Sequence, residues 1–237
     1  MADRSRRPRQ RHVTRLLIVF VKAPTPGQVK TRLLSVLSPG QAADLYRALV
    51  EDTLRAVAAL RGITPAIAYA ADATFPNLSW LGESYVTMLQ RGRTLGERLI
   101  QAFAWAFEQD AKEVVVLGSD APTLSPGWIR QAFQALQQAD VVVGPTVDGG
   151  YHLIGLKRPH PELLTRMPWS TPRLFRQTVS RIEQAHLRLH ALTPVADLDT
   201  PDDLYRYLAQ QPPARRRSRI TRLLTKWVAR SPVPLTS

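Results

Sequence analysis

Short apolar runs alternate with longer segments of helical period along most of the chain. These runs predict strands at Arg15 to Lys22, Ala66 to Ala70, Val86 to Leu89, Glu113 to Leu117, Val141 to Gly144, Tyr151 to Leu156 and Arg188 to Leu192. Helical spacing fills the segments between them, for example from Pro39 to Leu60 and from Leu95 to Gln109. Strands that alternate with helices favour an α/β fold in which helices cover both faces of one sheet.

Two further helices are indicated by their first residues. Ser125 and Pro126 suit the capping position and the first helical position of a helix that runs to Gln138. Thr200 and Pro201 have the same form, and the two aspartates that follow them favour the positive end of a helix.

Positive charge is concentrated at the two ends of the chain. Of the net charge of +13, residues 1–15 contribute six arginines against Asp3, and residues 212–237 contribute six arginines and Lys226 with no acid. The residues between them are nearly neutral, with 19 cations against 18 anions. We therefore expect a disordered basic tail at 1–14, one catalytic domain at 15–211 and a basic tail at 212–237.

Composition and motif searches exclude several classes of protein. The chain has no cysteine, which excludes disulfides and thiol chemistry. Its longest apolar runs are far shorter than the roughly 20 residues that a membrane-spanning helix needs. The histidine spacings match no zinc motif, and no GxSxG elbow of a serine hydrolase occurs. We expect a cytoplasmic protein.

Polar segments follow several of the predicted strands. The segment "KAPTPGQVKTR" follows the first strand, "GSDAPTL" the fourth and "GPTVDGGY" the fifth, and "DLDTPDDL" precedes the last helix of the domain. In open α/β sheets, ligands bind beyond the carboxyl ends of the strands, where such loops converge. The sequence therefore predicts one cleft that collects all four segments.

The first polar segment has the composition of a phosphate-binding loop. Lys22, Lys30 and Arg32 flank a turn at Gly27, and a helix is expected to begin there, so that its N-terminal dipole adds to the positive charge. The alternative is an ordinary solvated helix face, because pairs of cations are common on helices.

The other polar segments supply carboxylates. Asp120 comes directly after the fourth strand, where it could hold Mg²⁺, an ion that takes one or two protein carboxylates together with phosphate oxygens. A cap or turn role is the alternative for Asp120. Asp148, Asp197 and Asp199 are the candidates for a second metal ligand. Asp148 also opens the segment "DGGY", which is either a plain hairpin turn or, with Tyr151, part of a pocket wall.

Seven motifs together carry a resemblance to a known family. In order they are "FVKAPTPGQVKTRL", "LYRALVEDTL", "LGERL", "LGSDAPTL", "GPTVDGGYHLIGL", "WSTPRLF" and "DLDTPDDL", and they extend from about Leu16 to Leu208. The chain resembles the bacterial GT-A-fold family of arsenosugar-biosynthesis-type glycosyltransferases and, more distantly, 2-phospholactate guanylyltransferases and molybdenum-cofactor nucleotidyltransferases. The resemblance implies a Rossmann-like nucleotide-diphospho-sugar transferase (GT-A) fold, a single α/β domain with a mixed, mostly parallel sheet.

The resemblance also implies roles for individual residues and for a metal. The implied nucleotide-binding residues are Lys22, Gly27, Lys30, Arg32 and Gly118. The implied metal ligands are Asp120 and Asp199, with Asp197 as the alternative to Asp199, and the metal is Mg²⁺ or Mn²⁺. The implied acceptor-binding residues are Gly149, Gly150 and Tyr151, and the implied catalytic residues are Lys30 and Asp148. The chain departs from the expected pattern at Arg91 and Arg93, which leaves the choice of base and donor open.

Three functions are compatible with these residues and motifs. The leading expectation is a metal-dependent transferase that passes a sugar from a nucleotide sugar to a small or lipid-associated acceptor. The alternative is a nucleotidyltransferase that moves a nucleotidyl group from an NTP to a phosphorylated small molecule. A module of another class, which binds nucleotides or a membrane surface without catalysis, is the third.

The basic C-terminal tail has the pattern of a short amphipathic helix. Ile220, Leu223, Leu224, Trp227 and Val228 recur at helical spacing, with cations around them. Such a helix either docks its apolar face on the protein's own core or lies on an anionic membrane. Nucleic acid is the weakest candidate partner, because only Trp227 offers a stacking surface.

Overall fold

The computed structural model describes residues 14–81, 85–122, 124–210 and 218–228, and its centre is a seven-stranded sheet. The strands are β1 (Arg15–Lys22), β2 (Thr64–Ala70), β3 (Val86–Leu89), β4 (Glu113–Gly118), β5 (Val141–Pro145), β6 (Tyr151–Leu156) and β7 (Leu189–Ala191). Their order across the sheet is β3-β2-β1-β4-β6-β5-β7. The predicted mixed, mostly parallel α/β sheet is confirmed.

The strand directions bring the predicted loops to one edge of the sheet. β6 is antiparallel to β4 and β5, and the other paired strands are parallel. Phe20 near the end of β1 pairs with Ala68 of β2 and with Gly118 of β4, so that these three strands end side by side. The start of β6 at Tyr151 lies at the same edge because β6 runs in the opposite direction.

Helices pack on both faces of this sheet. They are α1 (Pro39–Ala58), α2 (Leu95–Glu108), α3 (Pro126–Leu136), α4 (Leu174–Gln184), α5 (Pro201–Ala209) and α6 (Arg219–Val228). Helices α1 and α3 share one buried apolar cluster with the sheet, and α2 and α4 share another. Ser125 and Thr200 cap α3 and α5 through their side chains, as their positions before proline predict. Among the described residues, no helix has the length and apolarity needed to span a bilayer.

The chain between β1 and α1 differs from the expected helix. Only a 3₁₀ turn forms, at Thr31–Leu33, and Lys30 before it has a left-handed backbone with φ of 49°. The α-helix begins at Pro39, where Ser38 caps it through a capping box. The prediction of a helix N-terminus beside Lys30 and Arg32 is therefore wrong, because the stronger start signal lies at Ser38-Pro39.

Helix α6 packs on the domain itself. Ile220 and Leu224 are fully buried in a third apolar cluster, where they meet residues of α1 and α5. Arg219 forms an ion pair with Glu51 of α1. The alternative in which the tail docks on the protein's own core therefore describes α6, whose Leu223 and Trp227 are partly buried in the same cluster. Contact with a membrane stays a prediction. The predicted tail at 1–14 and the remainder of the C-terminal tail lie almost wholly outside the described residues.

Truncation of the Leu224 side chain should weaken the packing of α6 against α1 and α5. We expect Leu224→Ala to lower the free energy of unfolding by about 3 kcal/mol, because the substitution leaves a cavity in a fully buried cluster. Urea unfolding followed by circular dichroism measures the change. Thr225→Ala, an exposed position on the same helix, is the matched control and should change stability little. Equal stability of the two variants would show that α6 contributes no packing energy.

Candidate functional site

A cleft of about 620 Å³ lies at the edge of the sheet where β1, β2 and β4 end. The predicted residues that line it are Lys22, Lys30, Arg32, Gly118, Asp120, Tyr151, Asp197 and Asp199. A backbone hydrogen bond from the Leu198 N–H to the Asp120 carbonyl, at 3.3 Å, joins the loop after β4 to the loop before α5. Three of the four polar segments therefore meet as predicted, and the fourth contributes only Tyr151, at the start of β6.

Lys30 is the buried cation at the centre of the cleft. Its ammonium lies 2.6 Å from Asp120 Oδ1 and 2.7 Å from Asp199 Oδ1, and only 2% of its side chain is exposed. Burial alone would lower the pKa of the Lys30 ammonium, but attraction to the two carboxylates raises it above its ordinary value. Lys30 is therefore charged at neutral pH and holds two acidic side chains from different loops together.

Asp120 and Asp199 combine this pairing with access to solvent. Their side chains are 45% and 39% exposed, so that each can still reach a ligand in the cleft. Partial burial opposes ionisation of Asp120, but the charges of Lys30 and Lys22 hold the pKa of this carboxyl below its usual range. The Asp199 N–H donates to Asp203 Oδ2 at 3.2 Å, which fixes Asp199 to the first turn of α5.

Asp197 is the third carboxyl group of the cleft. Burial, followed by repulsion from Asp120 and Asp199, raises the pKa of Asp197 to about 8. Its Oδ1 atom is buried and has no hydrogen-bond partner among the described residues. Asp197 is therefore mostly protonated at neutral pH, and it lines the same cleft as Lys30, Asp120 and Asp199.

Tyr46 of α1 lines the cleft and forms hydrogen bonds with residues at the ends of β1 and β4. Its hydroxyl accepts a hydrogen bond from the Lys22 N–H at 2.8 Å and another from Ser119 Oγ at 3.4 Å. Burial and the nearby charge of Asp120 raise the pKa of Tyr46 to about 12, so that it stays a neutral phenol. Tyr46 lies in the motif "LYRALVEDTL", but that motif assigned no role to its hydroxyl.

Four predicted site residues lie outside the cleft lining. Gly27 is exposed at the tip of its loop with φ of 81° and open space around it. Asp148 Oδ1 accepts hydrogen bonds from Thr146 Oγ1 at 2.6 Å and from the Gly150 N–H at 3.1 Å. The plain-turn alternative thus accounts for the contacts of Asp148, and its catalytic role stays a prediction.

The glycines of the "DGGY" segment do not line the cleft. A Cβ atom on Gly149 would lie 2.2 Å from the Pro172 carbonyl oxygen, and the residue has φ of 88°. Gly149 is therefore required for close packing against the segment before α4. The acceptor-binding role of Gly149 and Gly150 stays a prediction, whereas Tyr151 does line the cleft.

The side of the cleft next to α2 and α4 carries residues that the sequence motifs did not place there. Arg93 and Arg98 line it, as do Gln90 and Trp169. Arg98 lies in the motif "LGERL" and Trp169 in "WSTPRLF", and Thr94 caps the start of α2 by accepting from the Glu97 N–H. None of these signals shows that the arginines face the same cavity as Lys30.

His152 also borders the cleft, and it should make the protein sensitive to acid. Burial against Gly144 and Trp128 lowers the pKa of His152 to about 4, below the ordinary 6.5. Between these pH values the unfolded chain binds a proton that the folded chain excludes, so that stability falls as the pH falls. We expect this to cost about 3 kcal/mol of unfolding free energy at pH 4.

Urea unfolding at several pH values measures the effect. The His152→Leu variant should lose less stability between pH 7 and pH 4 than the unchanged protein, whatever its stability at pH 7. Parallel pH profiles of the two proteins would contradict the assignment.

The comparisons with known proteins agree with this fold. A crystal structure from Desulfovibrio desulfuricans G20, assigned as a nucleotide-diphospho-sugar transferase, is 34% identical with a TM-score of 0.84 and covers 91% of this chain and 96% of its own. The 2-phospho-L-lactate guanylyltransferase of Haloarcula marismortui is 29% identical over 79% of this chain and 82% of its own length. The enzyme of the same name from Methanocorpusculum labreanum is 25% identical over 76% and 77%.

These relatives are named as transferases, and this chain is a transferase with the nucleotide-diphospho-sugar transferase fold. None of the three carries the narrower arsenosugar-type assignment, which stays a prediction. The family described as "Uncharacterized protein conserved in bacteria (DUF2064)" matches residues 53–171, half of the chain. The chain belongs to this family and is related to the 2-phospho-L-lactate guanylyltransferases.

Proposed function

We propose that the protein transfers a nucleotidyl group from an NTP to a phosphorylated small molecule and releases pyrophosphate. The observation that carries the proposal is the Lys30 cluster, which places two partly exposed carboxylates and a buried ammonium in one cleft. Lys22 and Arg32 line the same cleft, and neither has a salt-bridge partner among the described residues. The names of the two curated relatives support nucleotidyl transfer over sugar transfer.

The positively charged side chains of the cleft can stabilise the negative charge that develops on the leaving pyrophosphate in this reaction. An oxygen of the acceptor phosphate attacks the α-phosphorus, the bond from the α-phosphorus to the bridging oxygen breaks, and pyrophosphate leaves with the electron pair. Lys22 and Arg32 would contact the phosphate oxygens. The buried Lys30 ammonium would add positive electrostatic potential from the centre of the cleft. Fixed charges in a partly buried cleft stabilise the leaving group more than mobile charges in water.

The acidic residues fit a divalent cation in type and number. Carboxylate oxygens are the ligands that Mg²⁺ and Mn²⁺ take, and Mg²⁺ needs only one or two of them beside phosphate oxygens and water. Asp120 and Asp199 would hold the ion, and Asp197, whose buried Oδ1 has no hydrogen-bond partner among the described residues, lines the same cleft. Within the described ranges no three acidic or histidine side chains form a ready-made metal site. When bound, the ion neutralises phosphate charge and orients the leaving group.

Sugar transfer from a nucleotide sugar is the second candidate function. The assignment of the Desulfovibrio relative favours it, since that protein is 34% identical to this chain. Both reactions use the same cation cluster, and they differ in the donor. A triphosphate carries more negative charge than a nucleotide diphosphate sugar and gains more from Lys22 and Arg32.

Calorimetry can separate the two functions at the level of binding. The protein is titrated with GTP and with GDP-mannose in the presence of Mg²⁺, so that the base is the same in both ligands. We expect GTP to bind at least about tenfold more tightly, because one additional charge contact contributes about 1.4 kcal/mol or more. Tighter binding of the nucleotide sugar would favour the second candidate function.

A further inference from the structure

The solvent-facing side of α6, called the outer face below, carries cations and no acid. Arg219, Arg222 and Lys226 are exposed on it, and the sequence of the helix contains no aspartate or glutamate. Arg222 and Lys226 form no salt bridge with any residue that the structure describes. Solvent-exposed helices that mix both signs of charge pair their cations with acids one turn away. The outer face of α6 therefore keeps positive charge that the described part of the domain does not neutralise.

A groove beside this helix adds to the positive charge. It has a volume of about 520 Å³, and Arg55 of α1 lines it together with Arg219 and Arg222 of α6. The two acids in its lining are already paired, because Glu51 binds Arg219 and Asp52 binds Arg55. The groove thus contains three arginines against two acids, and Arg222 is the cation in excess.

Two apolar side chains border the cations of α6. Leu223 and Trp227, which are one helical turn apart, pack against the buried cluster and remain partly exposed. An indole ring favours the boundary between apolar and polar surroundings. Trp and Leu beside Lys and Arg are the composition of helices that lie in the headgroup region of a bilayer. A free phosphate ion would bind the cations without any use for the apolar side chains.

Helix α6 is fixed to the domain by its opposite face. Ile220 and Leu224 are fully buried in a cluster that also contains Leu33 and Leu198. None of the described residues of α6 lines the catalytic cleft. A partner on the outer face of α6 would therefore hold the catalytic domain in place and leave the cleft open.

We propose that the outer face of α6 binds the anionic headgroups of a membrane surface. Arg222 and Lys226 would contact headgroup phosphates, and Leu223 and Trp227 would lie at the boundary between headgroups and acyl chains. Charge complementarity favours this partner, because an anionic bilayer offers negative charge to all cations of the face at once. Residues 212–237 contain seven basic residues and no acid, which strengthens the same attraction. Nucleic acid is less suited, because Trp227 is the one aromatic side chain of the helix and is half-buried.

Co-sedimentation of the full chain with lipid vesicles tests the assignment. Vesicles of phosphatidylcholine alone are compared with vesicles that also contain phosphatidylglycerol, at low and at high salt. We expect binding to the anionic vesicles only, and weaker binding at high salt. The double variant Arg222→Gln, Lys226→Gln should bind about 30-fold more weakly, because each cation near an anionic surface contributes about 1 kcal/mol. The matched control, Lys112→Gln with Arg130→Gln, removes two exposed cations elsewhere and should bind like the unchanged protein.

Trp227→Phe tests the position of the indole ring. Phosphatidylcholine with brominated acyl chains, mixed with phosphatidylglycerol, quenches the fluorescence of a tryptophan that enters the bilayer. We expect quenching of the unchanged protein and its loss in Trp227→Phe, whereas Trp105→Phe of α2 should keep it. Circular dichroism of every variant shows whether a loss of binding reflects unfolding.

Several results would overturn the membrane assignment. Absence of binding, or equal binding to neutral and anionic vesicles, would contradict recognition of anionic headgroups. An equal loss in the two double variants, or quenching that persists in Trp227→Phe, would show that α6 is not the contact surface. Binding to a fluorescent DNA duplex that is tighter than binding to anionic vesicles, and that depends on Arg222 and Lys226, would assign the outer face to nucleic acid instead.

Discussion

Replacing Asp120 with alanine is expected to abolish metal-dependent turnover, with kcat/KM lower by about 1000-fold or more. Asp120 is one of the two partly exposed carboxylates that Lys30 brings together, so its loss leaves a divalent cation with Asp199 as its one paired carboxylate. An ion that binds through one or two protein carboxylates then has too few anionic ligands. Steady-state turnover of GTP with Mg²⁺ measures the effect, and calorimetry of GTP with and without Mg²⁺ shows its origin.

Two further variants test whether the effect comes from the charge of the Asp120 carboxylate. Asp120→Asn keeps the shape of the side chain and should be nearly as inactive as Asp120→Ala, because the charge is what matters. Asp202→Asn, on the exposed surface of α5, should retain full activity. Wild-type affinity for GTP in Mg²⁺ after removal of the Asp120 carboxylate would contradict the metal role.

Replacing Lys30 with glutamine should have the second largest effect, and it should reduce both activity and stability. Without the ammonium, Asp120 and Asp199 repel each other across the cleft, and we expect unfolding free energy to fall by on the order of 2 kcal/mol. Turnover should fall by about 100-fold, because a fixed positive charge near the leaving group is lost.

The pH dependence of this stability loss identifies its cause. The pKa of the Lys30 ammonium is raised in the folded state, so its contribution is fully present below its ordinary value of 10.5 and is lost only at higher pH. The difference between the unchanged protein and Lys30→Gln should therefore be constant from pH 6 to pH 7, below the range in which Asp197 titrates. Lys112→Gln, at an exposed position, is the control, and a difference that disappears within this range would contradict the pairing.

The strands are well predicted from the sequence because their signal is local. β1 and β6 have the predicted ends, since each is an apolar run between turn residues and is largely buried within the sheet. β3 also has the predicted ends, although it lies at the edge of the sheet and is mostly exposed. β2 begins at Thr64, two residues before the predicted Ala66, because pairing with β1 extends it.

The side-chain contacts of the site join residues that are far apart in the sequence. Local sequence patterns therefore cannot predict them. Lys30 and Asp199 are 169 positions apart, and the loop pattern that suggested a phosphate ligand could not reveal a buried ion pair. Gly149 has the composition of an open turn, but its α-carbon packs against Pro172. Arg93 looked like a departure from a family pattern, and only the packing of α2 against the sheet shows that it faces the cleft.

The fate of the donor's phosphates tests nucleotidyl transfer most directly. The protein is incubated with Mg²⁺, a small-molecule metabolite extract and GTP that carries a radioactive phosphorus at either the α or the γ position. Nucleotidyl transfer predicts that the γ label appears in pyrophosphate while the α label appears in a new product, and that Asp120→Ala forms neither. Intact GTP beside a nucleotide sugar that is converted to its nucleoside diphosphate would contradict nucleotidyl transfer.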